Sequence, residues 1–203
     1  MTAIRLLLVA LVLSGCASGV DLDEPRRLLG REGDIRVDAQ MFGERINPGS
    51  LVTLTYEIQN FRATPIAFSD VVAASDFDPE SRTITVTLGA EVPGTPPPRL
   101  EVIGAGEKKT FTAGARMNFL IADRGELSLY PQSLRVKVNF LSDIEPFGEL
   151  IGPEQRGSAN PGLSERLFEV WVENIESVTT NSVPISWGRS SRTRSQQSRP
   201  IRP

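Results

Sequence analysis

Short stretches in which apolar and polar residues alternate recur along most of this 203-residue chain. Alternation with a period of two puts successive side chains on opposite faces of a β-strand, so that one face can be buried. Seven or more such stretches are present and no long helical period stands out, so we predict an all-β fold, a single antiparallel β-sandwich. The predicted strands lie at 35–41, 52–58, 66–68, 84–88, 100–102, 111–117, 134–140 and 168–173.

Turn residues separate these stretches, as a sandwich of short strands requires. Asn47-Pro48-Gly49-Ser50 stands between the first two, where proline presets φ and glycine accepts a positive φ. Gly104-Ala105-Gly106 interrupts the chain again before the stretch at 111–117. The apolar fraction of 39% and the charged fraction of 23% are those of an ordinary globular protein, and the length fits one domain.

The N-terminus has the anatomy of an export signal: Arg5, an apolar run from Leu6 to Leu13, and the small residues Ser14 and Gly15 before Cys16. The apolar run is far shorter than the roughly 20 residues that span a bilayer, which argues against a permanent transmembrane helix. Cys16 is the only cysteine of the chain. An ordinary secretory signal with an A-x-A-like cleavage site, in which Cys16 is a bystander, is the alternative.

Leu13-Ser14-Gly15-Cys16 resembles the lipobox of bacterial envelope lipoproteins. The resemblance implies that the Cys16 thiol carries a diacylglyceryl group, that the chain is cut before Cys16, and that the new amine is acylated. Several acyl chains would hold the protein on a membrane without a protein span. In the sorting pattern of enteric bacteria, an aspartate after the cysteine retains a lipoprotein in the inner membrane. Ala17 stands at that position here, which implies that the protein is anchored in the outer membrane and faces the periplasm.

The rest of the chain is divided by its composition. We predict a signal peptide at 1–15, the lipidated cysteine and a tether at 16–33, the sandwich at 34–180 and a disordered basic tail at 181–203. Five arginines and no acid follow position 188; without these and Arg5, 16 basic residues face 25 acidic ones, a net charge of about −9. An acidic body therefore carries a basic tail.

A second resemblance covers residues 34–174. The segment Pro48 to Asn60 (PGSLVTLTYEIQN), followed by Pro65-Ile66 and later by Gly106 to Phe111 (GEKKTF), is similar to immunoglobulin-like domains of bacterial envelope proteins. The resemblance implies an immunoglobulin-like sandwich in which the turn before the second strand and Asn60 at its end are structural. It implies a fold and not an activity.

The residues that commonly carry catalysis are scarce. The chain has no histidine, and its one cysteine is assigned to lipid, which excludes Ser-His-Asp and Cys-His catalysis, histidine zinc sites and thiol redox chemistry. We therefore predict a non-enzyme with no catalytic residue and no cofactor apart from the lipid on Cys16. A hydrolase with two carboxylates brought together from distant loops stays open as a lesser alternative.

Asp76, Asp78 and Glu80 are the best candidates for a cation site. They alternate like the first ligands of a calcium loop, but Ser81 and Thr87 stand where an EF-hand needs glycine and glutamate. We interpret the segment as a solvated acidic loop with a turn at Asp78-Pro79, and predict no metal. Calcium bound by sandwich loops remains the alternative.

Trp171 and the tail arginines are the remaining candidates for binding. Trp171 alternates with Phe168, Val170 and Val172 on a predicted strand, so it lies outside if those three face the core; it could then stack on a sugar or anchor a protein. The alternative, which we favour, is that a second layer, such as the Pro/Gly-rich stretch 141–162, covers it. The arginines of the tail that could bind lipid phosphate, lipopolysaccharide or an acidic protein include Arg189, Arg192 and Arg194.

The sequence thus predicts a lipid-anchored, non-catalytic envelope lipoprotein that presents loops and strand edges to another envelope protein or an anionic envelope component. A glycan- or calcium-binding module, using Trp171 or the Asp76–Glu80 loop, is the alternative function. Export makes nucleic acid an improbable partner, and we predict none.

Overall fold

A computed structural model describes residues 26–42, 45–47, 49–117, 130–151 and 161–187, and these residues form an all-β fold. Within these ranges the strands are β1 (Arg26–Glu32), β2 (Ile35–Met41), β3 (Arg45–Ile46), β4 (Leu51–Asn60), β5 (Ile66–Phe68), β6 (Val72–Asp78), β7 (Thr83–Leu88), β8 (Glu101–Ile103), β9 (Lys108–Arg116), β10 (Ser133–Leu141), β11 (Ile175–Thr179), β12 (Val183–Pro184) and β13 (Ser186–Trp187). The helices are a 3₁₀ helix (Glu145–Leu150) and α1 (Pro161–Asn174).

Two main sheets carry these strands. The first has four strands in the order β1-β2-β4-β9, all antiparallel. The second has seven strands, in the order β6-β7-β10-β5-β8, with β11 and β12 also paired to β10. Strands β3 and β13 form a separate parallel pair.

Alternate residues of most of the predicted strands face one core shared by both sheets, as the period of two predicts. Ile35, Val37, Ala39 and Met41 of β2 are buried, and so are the corresponding apolar residues of β4, β7 and β10. Tyr56 and Phe111 from the first sheet stack with ring centres 5.5 Å apart. Phe68 from the second sheet contacts both rings, so this aromatic trio joins the two sheets.

The Tyr56 hydroxyl donates a hydrogen bond to Oδ1 of Asp70, at 2.9 Å. Burial raises the pKa of Tyr56 far above its ordinary value, because the phenolate would lose its hydration, and the charge of Asp70 raises it further. The hydroxyl therefore stays protonated and acts as a structural donor that fixes the connection after β5.

The prediction that all strands pair antiparallel is wrong. Strand β7 runs parallel to β10, from Thr83 opposite Ser133 to Leu88 opposite Val138. Parallel neighbours cannot be joined by a hairpin and need a crossover. After β7 the chain forms β8 in the second sheet and β9 in the first sheet, and it then returns to the second sheet as β10. The alternation of apolar and polar residues does not reveal this path.

Two predicted domain boundaries also need correction. Residues Arg26–Glu32, predicted as part of the tether, form β1 and pair along their whole length with β2. Leu28 of β1 is fully buried. At the other boundary, residues Val183–Trp187, predicted as part of the disordered tail, form β12 and β13. The fold therefore begins before Asp34 and continues past position 180.

Strand β1 is an edge strand whose free side is covered by the other sheet. The backbone N–H of Asn181 donates to the Leu29 carbonyl at 2.9 Å, and the Leu29 N–H donates to Oδ1 of Asn181 at 2.6 Å. These bonds satisfy backbone groups that an open edge would leave free for pairing with another chain.

The strands of both sheets run between the same two ends of the domain, which we call the Arg26 end and the Asn60 end. At the Arg26 end, Nη1 of Arg26 donates to the Pro184 carbonyl at 2.6 Å, and Ser186 pairs with Arg45. The first and last described residues therefore lie at the same end. At the opposite end lie Asn60, which closes β4, and β11, whose Glu176 is bonded to Arg62.

Candidate interaction surface

Helix α1 leads into β11 at the Asn60 end and packs through one stripe of side chains. Leu163, Leu167 and Trp171 follow each other at intervals of four residues, the spacing that places side chains on one helical face. All three are buried in a second, smaller core cluster together with Phe147 of the 3₁₀ helix. The rings of Phe147 and Trp171 meet edge to face, with centres 5.4 Å apart.

Trp171 is only 1% exposed, and its Nε1 donates to the Ala90 carbonyl at 3.4 Å. The favoured prediction that the stretch 141–162 covers Trp171 is confirmed by its contact with Phe147. The predicted strand at 168–173 is wrong, because this segment is the last part of α1. A buried indole has no free face for a sugar or a partner, so Trp171 as a binding residue is also a wrong prediction.

The outward side of α1 is apolar where a surface helix is usually polar. Phe168 is 49% exposed and Val172 is 50% exposed. These two residues are one turn apart and lie on the stripe that also contains Ser164, whose hydroxyl donates to the Gly94 carbonyl. The strand predicted at 168–173 put both residues on its core side, so the sequence did not reveal them as a surface.

Grooves open on both sides of Glu91, beside this helix. The first, of about 370 Å³, is mostly apolar and includes Val71, Val92 and Pro96. The second, of about 270 Å³, includes Val172 of α1 and Glu176 of β11. We call the outward residues Phe168 and Val172, together with Val71 and Val92 of the first groove, the α1 surface.

Glutamates border the α1 surface. Glu165, Glu169 and Glu173 are exposed and follow each other at four-residue intervals along α1. None of the three forms an ion pair with a residue in the described part of the chain, whereas Glu91 lies 3.6 Å from Nζ of Lys137. Like charges at this spacing destabilise an isolated helix, so the stripe is not there to stabilise α1. The surface is suited to a partner that combines apolar and basic side chains.

Glu176, at the wall of the second groove, is held by Arg62. Nη1 of Arg62 donates to Oε1 of Glu176 at 3.1 Å, and Nη2 makes a second bond to Oε2. This bidentate contact lowers the pKa of Glu176, although partial burial opposes the shift. The Arg62 guanidinium also lies 5.4 Å from the centre of the Phe140 ring, which fixes its position.

The acidic residues predicted as a loop lie elsewhere, at the Arg26 end. Asp76 and Asp78 belong to β6, so the prediction that Asp76 lies in a loop is wrong, while the turn after Asp78 is confirmed. The backbone N–H of Glu80 and the hydroxyl of Ser81 donate to the two carboxylate oxygens of Asp78, and they lower its pKa. No group of three potential metal ligands occurs among the described residues.

The remaining sequence-predicted residues lie outside the described part of the chain. These are Cys16 with its lipobox, and Arg189, Arg192 and Arg194 of the tail. A polar groove of about 300 Å³ on the outer face of the first sheet, between Arg27, Asp38 and Thr55, is a further surface feature that sequence analysis did not predict.

None of the helices in the described ranges is long and apolar enough to cross a membrane. No protein-family model, no curated protein and no solved structure matches the chain.

Proposed function

We propose that this protein is a lipid-anchored, non-catalytic lipoprotein of the bacterial envelope that binds another envelope protein through the α1 surface. The observation that carries the binding role is the pair Phe168 and Val172, each about half exposed on a helix whose other side is firmly packed. Exposed apolar side chains grouped beside a groove and rimmed by charge are typical of protein interaction sites.

The structure favours a rigid recognition surface. Trp171, Leu163 and Leu167 hold α1 against the 3₁₀ helix, and Ser164 ties it to the segment that forms the first groove. A partner therefore meets a surface whose backbone is already in place, so less ordering entropy opposes binding. The glutamates on α1, which form no ion pair with a described residue, favour a partner that presents basic side chains around an apolar centre.

We also propose that the domain is immunoglobulin-like. Two sheets with a common core, short strands and a turn-rich sequence support this proposal. The buried Asn60 supports it further, because its amide nitrogen lies within hydrogen-bonding distance of three carbonyl oxygens. The helix α1 and the 3₁₀ helix are then additions at one end of such a domain.

Photo-cross-linking in intact cells tests the binding role. A photoreactive residue at Phe168 should yield one dominant protein adduct. The same residue at Phe61, exposed in the connection between β4 and β5, should not. The double variant Glu165→Lys/Glu169→Lys should abolish the adduct, while Glu32→Lys on β1 should leave it unchanged. The proposal would be overturned if both positions gave the same yield of adduct. It would also be overturned if Glu165→Lys/Glu169→Lys left the yield at Phe168 unchanged.

Acyl labelling tests the anchor separately. Cys16→Ala should lose incorporation of labelled fatty acid and should release the protein from membranes, because Cys16 is the only cysteine of the chain. Cys16→Ser is the closer steric match and should behave in the same way. Labelling that persists in either variant would exclude Cys16 as the acylated residue.

A further inference from the structure

The Arg26 end carries the two most exposed large hydrophobic side chains of the described residues. Phe42 is 59% exposed and Leu51 is 61% exposed. Phe42 directly follows β2, and Leu51 begins the neighbouring strand β4, so both side chains lie at strand ends and not over the core. Isolated exposed hydrophobic residues are ordinary, whereas grouped ones are typical of interaction sites.

Arginines accompany these hydrophobic side chains. Arg116 pairs directly opposite Leu51, and Arg45 begins β3; both are exposed. Arg26 and Arg82 are partly exposed at the same end. Arg45, Arg82 and Arg116 form no ion pair with an acid in the described ranges.

The acids described at this end are fewer and one is already engaged. Asp76 lies on β6, Asp78 closes it and Glu80 follows it. The Asp78 carboxylate accepts bonds from the Ser81 hydroxyl and from the Glu80 backbone N–H. Among the described residues, four arginines therefore face three acids, Asp76, Asp78 and Glu80, and the end has a small positive balance.

The chain enters and leaves the fold here. Cys16 precedes Arg26 by ten residues, which extend to at most about 35 Å. The segment before Arg26 includes Asp21, Asp23 and Glu24, whereas the residues after Trp187 include five arginines and no acid. A lipid on Cys16 would keep the Arg26 end within this distance of a membrane.

We propose that the Arg26 end docks on a membrane surface that carries anionic phospholipid headgroups. Phe42 and Leu51 enter the interfacial region, and Arg45 and Arg116 bind headgroup phosphates. Apolar side chains combined with basic ones bind such surfaces by burial and by electrostatic attraction, and both contributions add to that of an acyl anchor. The proposal relies on the proposed function only for the nearness of the membrane. The α1 surface, at the other end, then points away from the lipid.

Vesicle sedimentation tests this docking without the acyl anchor. The exported chain from Ala17 to Pro203 is mixed with vesicles of phosphatidylglycerol and phosphatidylcholine, or of phosphatidylcholine alone. We expect binding to the anionic vesicles only, weakened by salt. Phe42→Ser/Leu51→Ser and Arg45→Glu/Arg116→Glu should each lower the partition coefficient about tenfold or more.

Matched variants at other surfaces provide the controls. Phe168→Ser/Val172→Ser removes two hydrophobic residues that are each about half exposed, and Arg31→Glu/Arg36→Glu reverses two charges on the first sheet. Neither double variant should change partitioning. Melting temperatures establish that each variant is folded. Equal binding to both kinds of vesicle, or equal loss in the controls, would overturn the proposal.

A chain that ends at Trp187 separates the surface from the tail. It should still prefer anionic vesicles, more weakly, and Arg45→Glu/Arg116→Glu should abolish that preference. If removal of the tail abolishes all binding, docking by the described surface is wrong. A failure of acyl labelling at Cys16 would overturn the anchor and leave this vesicle result unaffected, so the two proposals fail separately.

Discussion

At the scale of single residues, Asn60 links three parts of the fold. Its amide nitrogen lies within hydrogen-bonding distance of the carbonyls of Thr64, Ile103 and Gly104, and its Oδ1 accepts from the Arg62 N–H. Asn60 is fully buried, so an alanine would leave these groups without a partner or water. The sequence predicted a structural asparagine here through a resemblance, but the three carbonyl partners depend on tertiary structure.

We predict that Asn60→Ala lowers the free energy of unfolding by about 1–3 kcal/mol, the usual cost of leaving buried polar groups unsatisfied. Gln59→Ala, on the outer face of the same strand, should cost about 0.5 kcal/mol or less. Urea unfolding of both variants measures the difference. Similar losses would contradict the structural role given to the Asn60 amide.

The Arg62–Glu176 pair predicts a pH dependence. The pKa of Glu176 is lower in the folded protein than in the unfolded chain. The pair therefore contributes its full stabilisation above the unfolded pKa of about 4.3, and this stabilisation is lost as the pH falls through the folded pKa. The free energy of unfolding of wild type should therefore exceed that of Glu176→Gln at neutral pH. This difference should become smaller as the pH is lowered. Urea unfolding at several pH values between neutral and about 3 measures the gap. A gap that is constant with pH would contradict the assignment.

At the scale of elements, the segment 163–173 explains both a success and an error of sequence analysis. Phe168, Val170 and Val172 alternate with polar neighbours as in a strand, while Leu163, Leu167 and Trp171 have helical spacing. The second pattern is the buried one. This helical spacing can be read from the sequence, and Pro161 agrees with it because proline is favoured at the first position of a helix. The partner ring of Phe147 was not predictable, because it comes from a 3₁₀ helix in an irregular stretch.

The end of β7 makes a sharper prediction about an element. Gly89 has a φ of +83°, and a Cβ there would lie 2.2 Å from the Asn139 carbonyl oxygen, so β7 and β10 leave no room for a side chain. Gly33, in the β1–β2 turn, also has a positive φ but has nothing within 4 Å. Gly89→Ala should cost about 3 kcal/mol or more, and Gly33→Ala only about 1 kcal/mol, when measured by urea unfolding. Equal costs would contradict the close approach.

At the scale of the whole molecule, the sequence predicted the all-β class and the location of most strands, because each strand records its burial in a local period of two. The order of strands is not local. The parallel pairing of β7 with β10 and the return of the chain to the Arg26 end follow from contacts between segments more than forty residues apart. The contrast between the Arg26 end, with its arginines, and the apolar α1 surface, with its border of glutamates, could not be predicted for the same reason.

Strand β1 provides the whole-molecule prediction, since it decides where the folded unit begins. It places Leu28 in the core, covers β2 along seven residue pairs and bonds to Asn181 across the sheet edges. A chain from Arg26 to Trp187 should unfold in one cooperative transition. A chain from Asp34 to Trp187 loses the burial of Leu28, about 1.5–3 kcal/mol, and exposes β2 as a new edge that can pair with a second copy. Its urea midpoint should be lower, and sedimentation should reveal self-association. If both chains have the same midpoint and remain monomeric, β1 belongs to the tether and the folded unit begins at Asp34.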